Sequence, residues 1–306
     1  FGFNKFVKGR KPSDHTLGKI ACMKGCCTGT LASTVTQKDT DAIFAKNNHI
    51  CFIGNTLADR MQHHGWTESY LQAQFPDKAL RFRNLGFPAD ELATRPRSVG
   101  FGSPDVHLSH SKADVVFAFF GYNESFNAEK GLANFKKELA KFIKHTRSQK
   151  YNGKSAPELV LFSPIAHEDI DDPNLPDGKE NNVRLILYSK AMAQVARELD
   201  VPFVDYDNHD KPLTHNGIHL NNLGYKLLGQ VISKALTGKY KTPKKDYLEK
   251  IQEAVLVRNL RWFNRYRATD GYSTYGRRAD LKFVDGQTNR DVMNRELEIL
   301  DVMTAN

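Results

Sequence analysis

The feature that most constrains this chain is an alternation of short apolar segments with longer amphipathic ones between residues 49 and 237. His49–Gly54 and Ala113–Phe120 are almost wholly apolar, which is typical of parallel strands that are buried on both faces. The amphipathic segments between them are long enough for helical crossover connections. The pattern therefore predicts an α/β fold, with a mostly parallel central sheet between two layers of helices.

The same alternation predicts the remaining elements of this α/β unit. The predicted helices carry apolar residues every three or four positions, and the predicted strands are short apolar runs. Further strands are expected at Ala79–Leu85, Glu158–Ile165 and Pro202–Asp205, and helices at Leu57–Phe75, Gly131–His145, Arg184–Leu199 and Asn221–Leu236.

The two ends of the chain fall outside this alternation. Residues 1–47 are polar and without sustained periodicity, which predicts an irregular N-terminal arm. Residues 239–306 predict a basic helical extension, with a long helix at Lys244–Arg267 and a last helix at Arg290–Met303. Residues 48–238 are then the α/β domain. The arm and the extension are expected to contact protein partners in a larger assembly.

Charge narrows the range of partners. The formal net charge is +9, and residues 239–282 contain 12 Lys and Arg against 5 Asp and Glu. A basic surface favours anionic partners, although a solvated helical face is the simpler interpretation. No nucleic-acid-binding module is recognisable, so no specific nucleic acid is expected. No apolar run approaches the roughly 18 residues of a transmembrane segment.

The cysteines and histidines predict no metal and no cofactor. Cys22, Cys26 and Cys27 match neither a zinc motif nor a haem attachment motif, and Cys51 is expected to be a buried apolar residue. The pairs His63–His64 and His107–His110 lack a carboxylate or thiolate at a useful spacing. A disulfide among the first three cysteines would favour an extracytoplasmic location, periplasmic or secreted. The compartment otherwise stays open.

Four polar segments lie where a parallel sheet would collect functional groups. Three follow predicted strands and the fourth precedes the last helix of the α/β unit. They are Phe52-Ile53-Gly54-Asn55-Thr56-Leu57, Arg83-Asn84-Leu85-Gly86, Phe120-Gly121-Tyr122-Asn123-Glu124-Ser125 and Asn216-Gly217-Ile218-His219-Leu220-Asn221.

In this order the four segments resemble the SGNH/GDSL hydrolase superfamily, over about residues 49–237. The resemblance implies a three-layer, flavodoxin-like fold and a catalytic set. Thr56 stands where the family has its nucleophilic Ser, and His219 stands where it has the general base. Asn216 occupies the position of the acid that orients that base. The implied oxyanion-hole donors are the N–H groups of Thr56 and Gly86 and the side-chain amide of Asn123.

Two of these positions depart from the family pattern. The extra methyl group of Thr56 restricts its side chain at a tight turn. Asn216 can accept a hydrogen bond from the imidazole but cannot stabilise its charged form, and an Asp-to-Asn change in a serine triad costs about 10⁴ in rate. A nearby acid, Asp205, Asp207 or Asp210, is an alternative partner.

Other residues near these turns are candidates for lining a pocket. They are Asn55, Glu124, Ser125, His167 and Glu168. Ser125 is also an alternative nucleophile, although it would lie on a loop and not at a helix start. For His167 and Glu168, hydrogen bonding to loop backbone is an equally good interpretation.

A second resemblance concerns the C-terminal extension. Trp262–Arg267, Asp270–Gly276 and Val292–Glu296 are similar to a segment of large planctomycete-type proteins, in which an SGNH domain precedes haem-binding regions. It implies that the chain works within a larger assembly. The expected function is thus a hydrolase-like domain with a degraded Ser/Asp set, weakly active or inactive, that serves binding or assembly. The alternative is an active hydrolase of carbohydrate O-acetyl or other small carboxyl esters, with Thr56 as nucleophile.

Overall fold

Strands and helices alternate along most of the chain. The computed structural model describes residues 31–98, 100–206, 213–268 and 270–305. The strands are β1 (Leu31–Ser33), β2 (His49–Gly54), β3 (Arg81–Asn84), β4 (Val115–Phe119), β5 (Glu158–Phe162) and β6 (Phe203–Tyr206). The helices are α1 (Gln37–Ile43), α2 (Thr56–His64), α3 (Trp66–Gln74), α4 (Pro104–His110), α5 (Ala128–Ser148), α6 (Lys179–Glu198), α7 (Asn222–Thr237), α8 (Lys245–Tyr266), α9 (Gly271–Thr274) and α10 (Asn289–Ala305). Short 3₁₀ turns lie at Pro76–Lys78, Glu124–Asn127 and Val284–Gly286.

The six described strands form one sheet in the order β1-β6-β5-β4-β2-β3. Strands β2 to β6 pair in parallel, and only β1 pairs antiparallel, against β6. From β2 the chain moves first to β3 on one side and later to β4 on the other. The loops after β2 and β4 therefore flank a crevice, the usual ligand site of such sheets.

Alternating side chains of the strands feed a hydrophobic core on each face of the sheet. In β2, Ile50 and Phe52 enter one core, and Cys51 and Ile53 enter the other. Helices α1, α2, α3 and α7 cover the first core, while α4, α5 and α6 cover the second. The predicted three-layer α/β fold with a helical C-terminal extension is confirmed.

The predicted irregular N-terminal arm needs a correction, because residues 31–47 contain a strand, β1, and a helix, α1. Strand β1 adds to the sheet edge at β6, and α1 starts at a capping box formed by Thr36 and Asp39. Ile43 and Phe44 at the end of α1 are buried in the first core. A strand and a helix this short contain too few residues to show a period of apolar positions in the sequence. Residues 1–30, with Cys22, Cys26 and Cys27, lie outside the described residues.

The single helix predicted at Leu57–Phe75 is also wrong, because it is two helices that meet at Gly65. Gly65 has a left-handed backbone with φ of 68°, which ends α2 and starts α3. A Cβ atom at this position would lie 2.9 Å from Cγ1 of Val255 in α8. The break therefore lets α8 approach closely.

The C-terminal extension is built into the α/β unit. Helix α8 packs on α2, α3 and the edge strand β3. Leu248 belongs to the first core, and Trp262 and Tyr266 belong to the second. Trp262 Nε1 donates to the carbonyl oxygen of Asn84 at 2.7 Å, and the Tyr266 hydroxyl donates to that of Leu85 at 3.0 Å. These contacts cover the open edge at β3. A role in binding partners stays a prediction.

Part of the basic charge in this extension is neutralised internally. Arg258 of α8 pairs with Glu68 of α3, whose side chain is 2% exposed. Arg265 pairs with Asp301 of α10 at 2.8 Å. Basic residues that were expected to lie on a solvated face therefore form ion pairs. These pairs connect the extension to the domain and connect the two long helices of the extension to each other.

Candidate active site

The turn between β2 and α2 is shaped for a close approach to β4. Gly54 has φ of 134°, and an added Cβ atom would lie 2.1 Å from the carbonyl oxygen of Phe119, so only glycine fits. Asn55 then caps α2, its side chain accepting from the N–H of Leu57 at 3.1 Å. Thr56 is consequently the first residue of α2, where the backbone N–H has no partner within the helix and the helix dipole favours negative charge.

The loop before α7 holds His219 against Asn216. The side-chain oxygen of Asn216 accepts from the backbone N–H of His219 at 3.0 Å and lies 3.2 Å from Nδ1 of its ring. The contact assigns the ring proton to Nδ1, because an amide oxygen only accepts. Nε2 is then the basic nitrogen, as a general base requires.

The surroundings of His219 favour its neutral form. Burial is the main cause that lowers the pKa of the imidazole, and the nearby Arg60 and His215 side chains lower it further. The group that contacts Nδ1, Asn216, is uncharged. Among the described residues, an imidazolium formed during proton transfer would therefore meet no anionic group at Nδ1.

Thr56 and His219 line one cleft of about 130 Å³ at the carboxyl ends of β2, β4 and β5. Two polar side chains that were also expected there, Asn55 and Asn123, line it as well. The other lining residues are Leu57, Phe119, Phe120, Tyr122, Ser163, Pro164, Ile165, Ile218 and Tyr225. The cleft thus combines an apolar wall with several hydroxyl-bearing side chains, an imidazole and two amides, a composition suited to a small ligand.

The predicted oxyanion-hole donors are placed differently from one another. The side-chain amide of Asn123 donates one hydrogen to the carbonyl oxygen of Asp90 at 3.1 Å, which leaves its second hydrogen for the cleft. The N–H of Gly86 instead donates to the side-chain oxygen of Asn84 at 2.9 Å, and Gly86 does not line the cleft. A Cβ atom on Gly86 would lie 2.4 Å from the backbone nitrogen of Asp59. In this structure Gly86 packs against α2.

Two candidates, Glu124 and Ser125, do not line the cleft either. The buried carboxylate of Glu124 accepts from the N–H groups of Leu92 and Gly121, both at 2.9 Å. The Ser125 hydroxyl donates to the carbonyl oxygen of Tyr122 at 2.6 Å. Both side chains are therefore engaged in shaping the loop that presents Asn123.

His167 is a buried packing residue beside the His219 loop. Its Nδ1 accepts from the side-chain amide of Asn181 at 2.8 Å, so its proton lies on Nε2. A Cβ atom on Gly217 would lie 2.6 Å from that Nε2 atom. His167 therefore supports the turn at Gly217 from behind and does not line the cleft.

Glu168 braces the loop that carries Asn216 and His219. Its carboxylate accepts from the N–H groups of Leu213 and Thr214 at 2.7 and 2.8 Å and from the Thr214 hydroxyl. Its own N–H donates to the carbonyl oxygen of Gly217 at 2.8 Å. Four hydrogen bonds from one residue thus hold both ends of the turn before His219.

Changing Glu168 to Gln is expected to loosen this turn. An amide replaces one accepting oxygen with a donor that faces N–H groups, and leaving a buried donor unpaired costs about 1–3 kcal/mol. Hydrogen exchange of residues 213–219 should accelerate, while the core strands keep their protection. Glu180→Gln is the control, because that side chain is 93% exposed. Equal exchange in both variants would contradict the brace.

The segment after β5 does line the cleft, but through other residues than the sequence indicated. His167 and Glu168 were the expected lining residues, whereas Ser163, Pro164 and Ile165 line the cleft. The end of the strand itself was the available signal, since cleft groups gather directly at strand ends. Tyr225 has no such signal, because it reaches the cleft from within α7.

Neither a cluster of metal-ligating side chains nor a membrane-spanning helix occurs within the described ranges. There, His, Cys, Asp and Glu side chains nowhere form a group of three or more that could hold a metal ion. Every described helix is too short or too polar to span a lipid bilayer. Asp205 lies in β6, whereas the other two alternative acids, Asp207 and Asp210, lie outside the described residues.

The family model of the GDSL-like lipase/acylhydrolase family matches residues 52–227, more than half of the chain. The match covers the turns that carry Thr56, Asn123 and His219 to the cleft. It ends within α7, before the C-terminal extension. No curated protein matches the chain.

Several solved structures are similar to about two thirds of the chain or slightly less. An aryl esterase from M. smegmatis is 16% identical over 63% of this chain and 99% of its own, with a TM-score of 0.48. A carbohydrate acetylesterase from Sinorhizobium meliloti is 14% identical over 63% and 99%, with a TM-score of 0.46. A gut microbial diltiazem-metabolizing enzyme is 16% identical, with a TM-score of 0.49, over 63% of this chain but only 47% of that enzyme.

Proposed function

This chain belongs to the GDSL-like lipase/acylhydrolase family, and on that premise we propose that its cleft binds a small carboxyl ester, such as an O-acetylated sugar, and hydrolyses it slowly. One observation carries the proposal. Nδ1 of His219 lies 3.2 Å from a neutral amide oxygen, that of Asn216. The imidazole is thus oriented as a base, but its charged form is not stabilised.

The nucleophile position supports the same proposal. Thr56 lies at the positive end of α2, where an attacking oxygen would be favoured. Its second branch at Cβ, however, restricts the rotation that would turn the hydroxyl towards His219. The imidazole is oriented but its charged form is not stabilised, and the Thr56 hydroxyl is hindered. Both features reduce turnover more than they reduce ligand binding.

An active ester hydrolase is the second candidate function. It is favoured by Thr56 and His219 lining the same cleft. An assembly role is favoured by apolar side chains on the outside of the C-terminal extension, since Val257, Leu260 and Val302 are 53%, 63% and 62% exposed.

Hydrolysis of 4-nitrophenyl acetate by the wild type, Thr56→Ala and His219→Ala tests the proposal. We expect the wild-type rate to exceed the rates of both variants, but by about tenfold at most, because a catalytic set without a carboxylate beside the histidine loses most of its rate advantage. A wild-type rate about 10³-fold or more above both variants, the range of an intact set, would favour the active hydrolase instead. Binding of 3-O-acetylglucose, measured by calorimetry, provides the second arm. Absence of binding would contradict the ligand-binding role.

A further inference from the structure

The side-chain amide of Asn123 reaches the cleft in an orientation that a neighbouring loop controls. Its nitrogen donates one hydrogen to the carbonyl oxygen of Asp90 at 3.1 Å. Asn123 lines the cleft, whereas Asp90 is buried and does not line it. Because an amide group is planar, the bond to Asp90 also fixes the direction of the second hydrogen. The position of the Asp90 carbonyl group therefore decides whether Asn123 can donate into the cleft.

Asp90 is held in place by two guanidinium groups. Arg97 donates to both of its carboxylate oxygens, at 2.7 and 2.8 Å, and Arg95 donates to one of them at 3.3 Å. A bidentate pair fixes the orientation of a carboxylate as well as its distance. The backbone N–H of Asp90 donates to the carbonyl oxygen of Phe87 at 3.2 Å. The side chain and the backbone of Asp90 are thus both anchored.

Arg97 in turn packs against aromatic rings. Its guanidinium carbon lies 3.6 Å from the ring centroid of Phe87 and 5.5 Å from that of Phe101, which are cation–π distances. The guanidinium carbon of Arg267, at the C-terminal end of α8, lies 3.4 Å from the same Phe87 centroid. The C-terminal extension therefore contacts the ring on which Arg97 packs.

A second connection joins the Asp90 loop to the Asn123 loop, but it acts on the main chain. The carboxylate of Glu124 accepts from the N–H groups of Leu92 and Gly121, both at 2.9 Å. These bonds set the distance between the two loops and leave the side-chain torsions of Asn123 free. Among the described residues, Asp90 is the hydrogen-bond partner of the Asn123 side-chain nitrogen. The orientation of this amide thus depends on Asp90.

We propose that Arg97 is a positioning residue for Asn123. Its guanidinium fixes Asp90, and the Asp90 carbonyl group accepts one hydrogen of the Asn123 amide. The other hydrogen is thereby directed at the carbonyl oxygen of a bound ester. Arg97 does not line the cleft, so it acts only through these contacts. The inference rests on the proposed function and adds the residue that keeps the amide donor oriented towards the ester.

Hydrogen exchange of the Asn123 side-chain amide, followed by NMR in uniformly ¹⁵N-labelled protein, tests this role. The loss of the signal in Asn123→Asp assigns it. We expect this amide to exchange at least about threefold faster in Arg97→Gln than in the wild type, because its hydrogen bond to Asp90 is weakened. The indole N–H of Trp262, which donates to the carbonyl oxygen of Asn84 at 2.7 Å, should keep its wild-type rate. General loosening of the structure would accelerate both.

Two further variants assign the effect to the guanidinium. Arg97→Lys keeps the charge but lacks the planar fork that contacts both oxygens of Asp90, so its exchange rate should be intermediate. Arg295→Gln removes one positive charge at a side chain that is 75% exposed on α10, and it should leave the exchange unchanged. Thermal unfolding checks that each variant is folded. If Arg97→Gln does not fold, Arg97→Lys decides the test.

Calorimetric binding of 3-O-acetylglucose connects the orientation of the amide to the ligand. Arg97→Gln should weaken binding by about threefold or more, the usual worth of one hydrogen bond, and Arg295→Gln should not weaken it. Absence of binding by the wild type would contradict the proposed function, while the exchange of the Asn123 amide would still decide the positioning role.

Three results would overturn the positioning role. The first is equal exchange of the Asn123 amide in the wild type and in the folded Arg97 variants. The second is equal acceleration of the Asn123 amide and the Trp262 indole, which would make Arg97 a merely structural residue. The third is an unchanged affinity for the sugar in a variant whose Asn123 amide exchanges faster.

Discussion

Changing Asn216 to Asp and Thr56 to Ser in one chain is expected to raise the rate of 4-nitrophenyl acetate hydrolysis by about 10³–10⁴-fold. Asn216 already places an oxygen 3.2 Å from Nδ1 of His219, and a carboxylate would accept the same hydrogen bond. The carboxylate would also stabilise the imidazolium that forms when His219 takes the proton of the nucleophile. Serine removes the methyl group that hinders the hydroxyl at the start of α2.

The single variants separate the two contributions. Because the groups of a catalytic set act as a unit, each single change should yield much less than the double change. Adding His219→Ala to the double variant should return the rate to background, which controls for reaction at another site. A double variant without any gain would contradict the idea that two substitutions alone limit turnover.

A gain in hydrolysis rate that is smaller than expected would also have a structural explanation. The N–H of Gly86 is used by Asn84, so the donors left for an oxyanion are the N–H of Thr56 and the amide of Asn123. Loss of one such donor costs about 10²–10³ in rate. A gain of only about tenfold would therefore identify the turn at Gly86 as a further limit.

The parts of the site that sequence could predict are those that follow from topology. A buried strand such as β2 is recognisable from its composition, and parallel strands place their carboxyl ends at one edge. This reasoning brings Thr56, Asn123 and His219 to one region, and all three line the cleft.

The parts that it could not predict depend on individual hydrogen bonds in loops. Whether the N–H of Gly86 faces the cleft is decided by the Asn84 side chain two residues away. Glu168 is similar, since its carboxylate meets Leu213 and Thr214 across some 45 positions of sequence. Periodicity carries no information on either contact, because loops have no period.

Local sequence patterns do not predict the packing of the C-terminal extension either. The amphipathic pattern of α8 predicts a helix but not the surface that it covers. Trp262 donates to Asn84, which is 178 positions away in sequence. A face that looks available for partners in the sequence is thus partly occupied by the chain itself.

Removing residues 239–306 is expected to prevent the α/β domain from folding. The deletion takes Trp262 and Tyr266 out of the second core and leaves the buried carboxylate of Glu68 without Arg258. Loss of a buried Trp costs about 3–5 kcal/mol. An uncompensated buried charge costs about 3–5 kcal/mol more. Together these approach the whole stability of a typical domain, about 5–15 kcal/mol.

Point variants in α8 measure the contribution of the extension to stability in a chain that still folds. Trp262, 3% exposed, and Leu260, 63% exposed, lie two positions apart on opposite sides of the helix. Trp262→Ala should lower the free energy of unfolding by about 3–5 kcal/mol in urea denaturation. Leu260→Ala should change it by about 0.5 kcal/mol or less, as surface substitutions do. A truncated chain that unfolds cooperatively near the wild-type midpoint would instead show that the extension is separable from the α/β domain. The aromatic contacts of the extension would then be those of a module docked on a domain that folds without it.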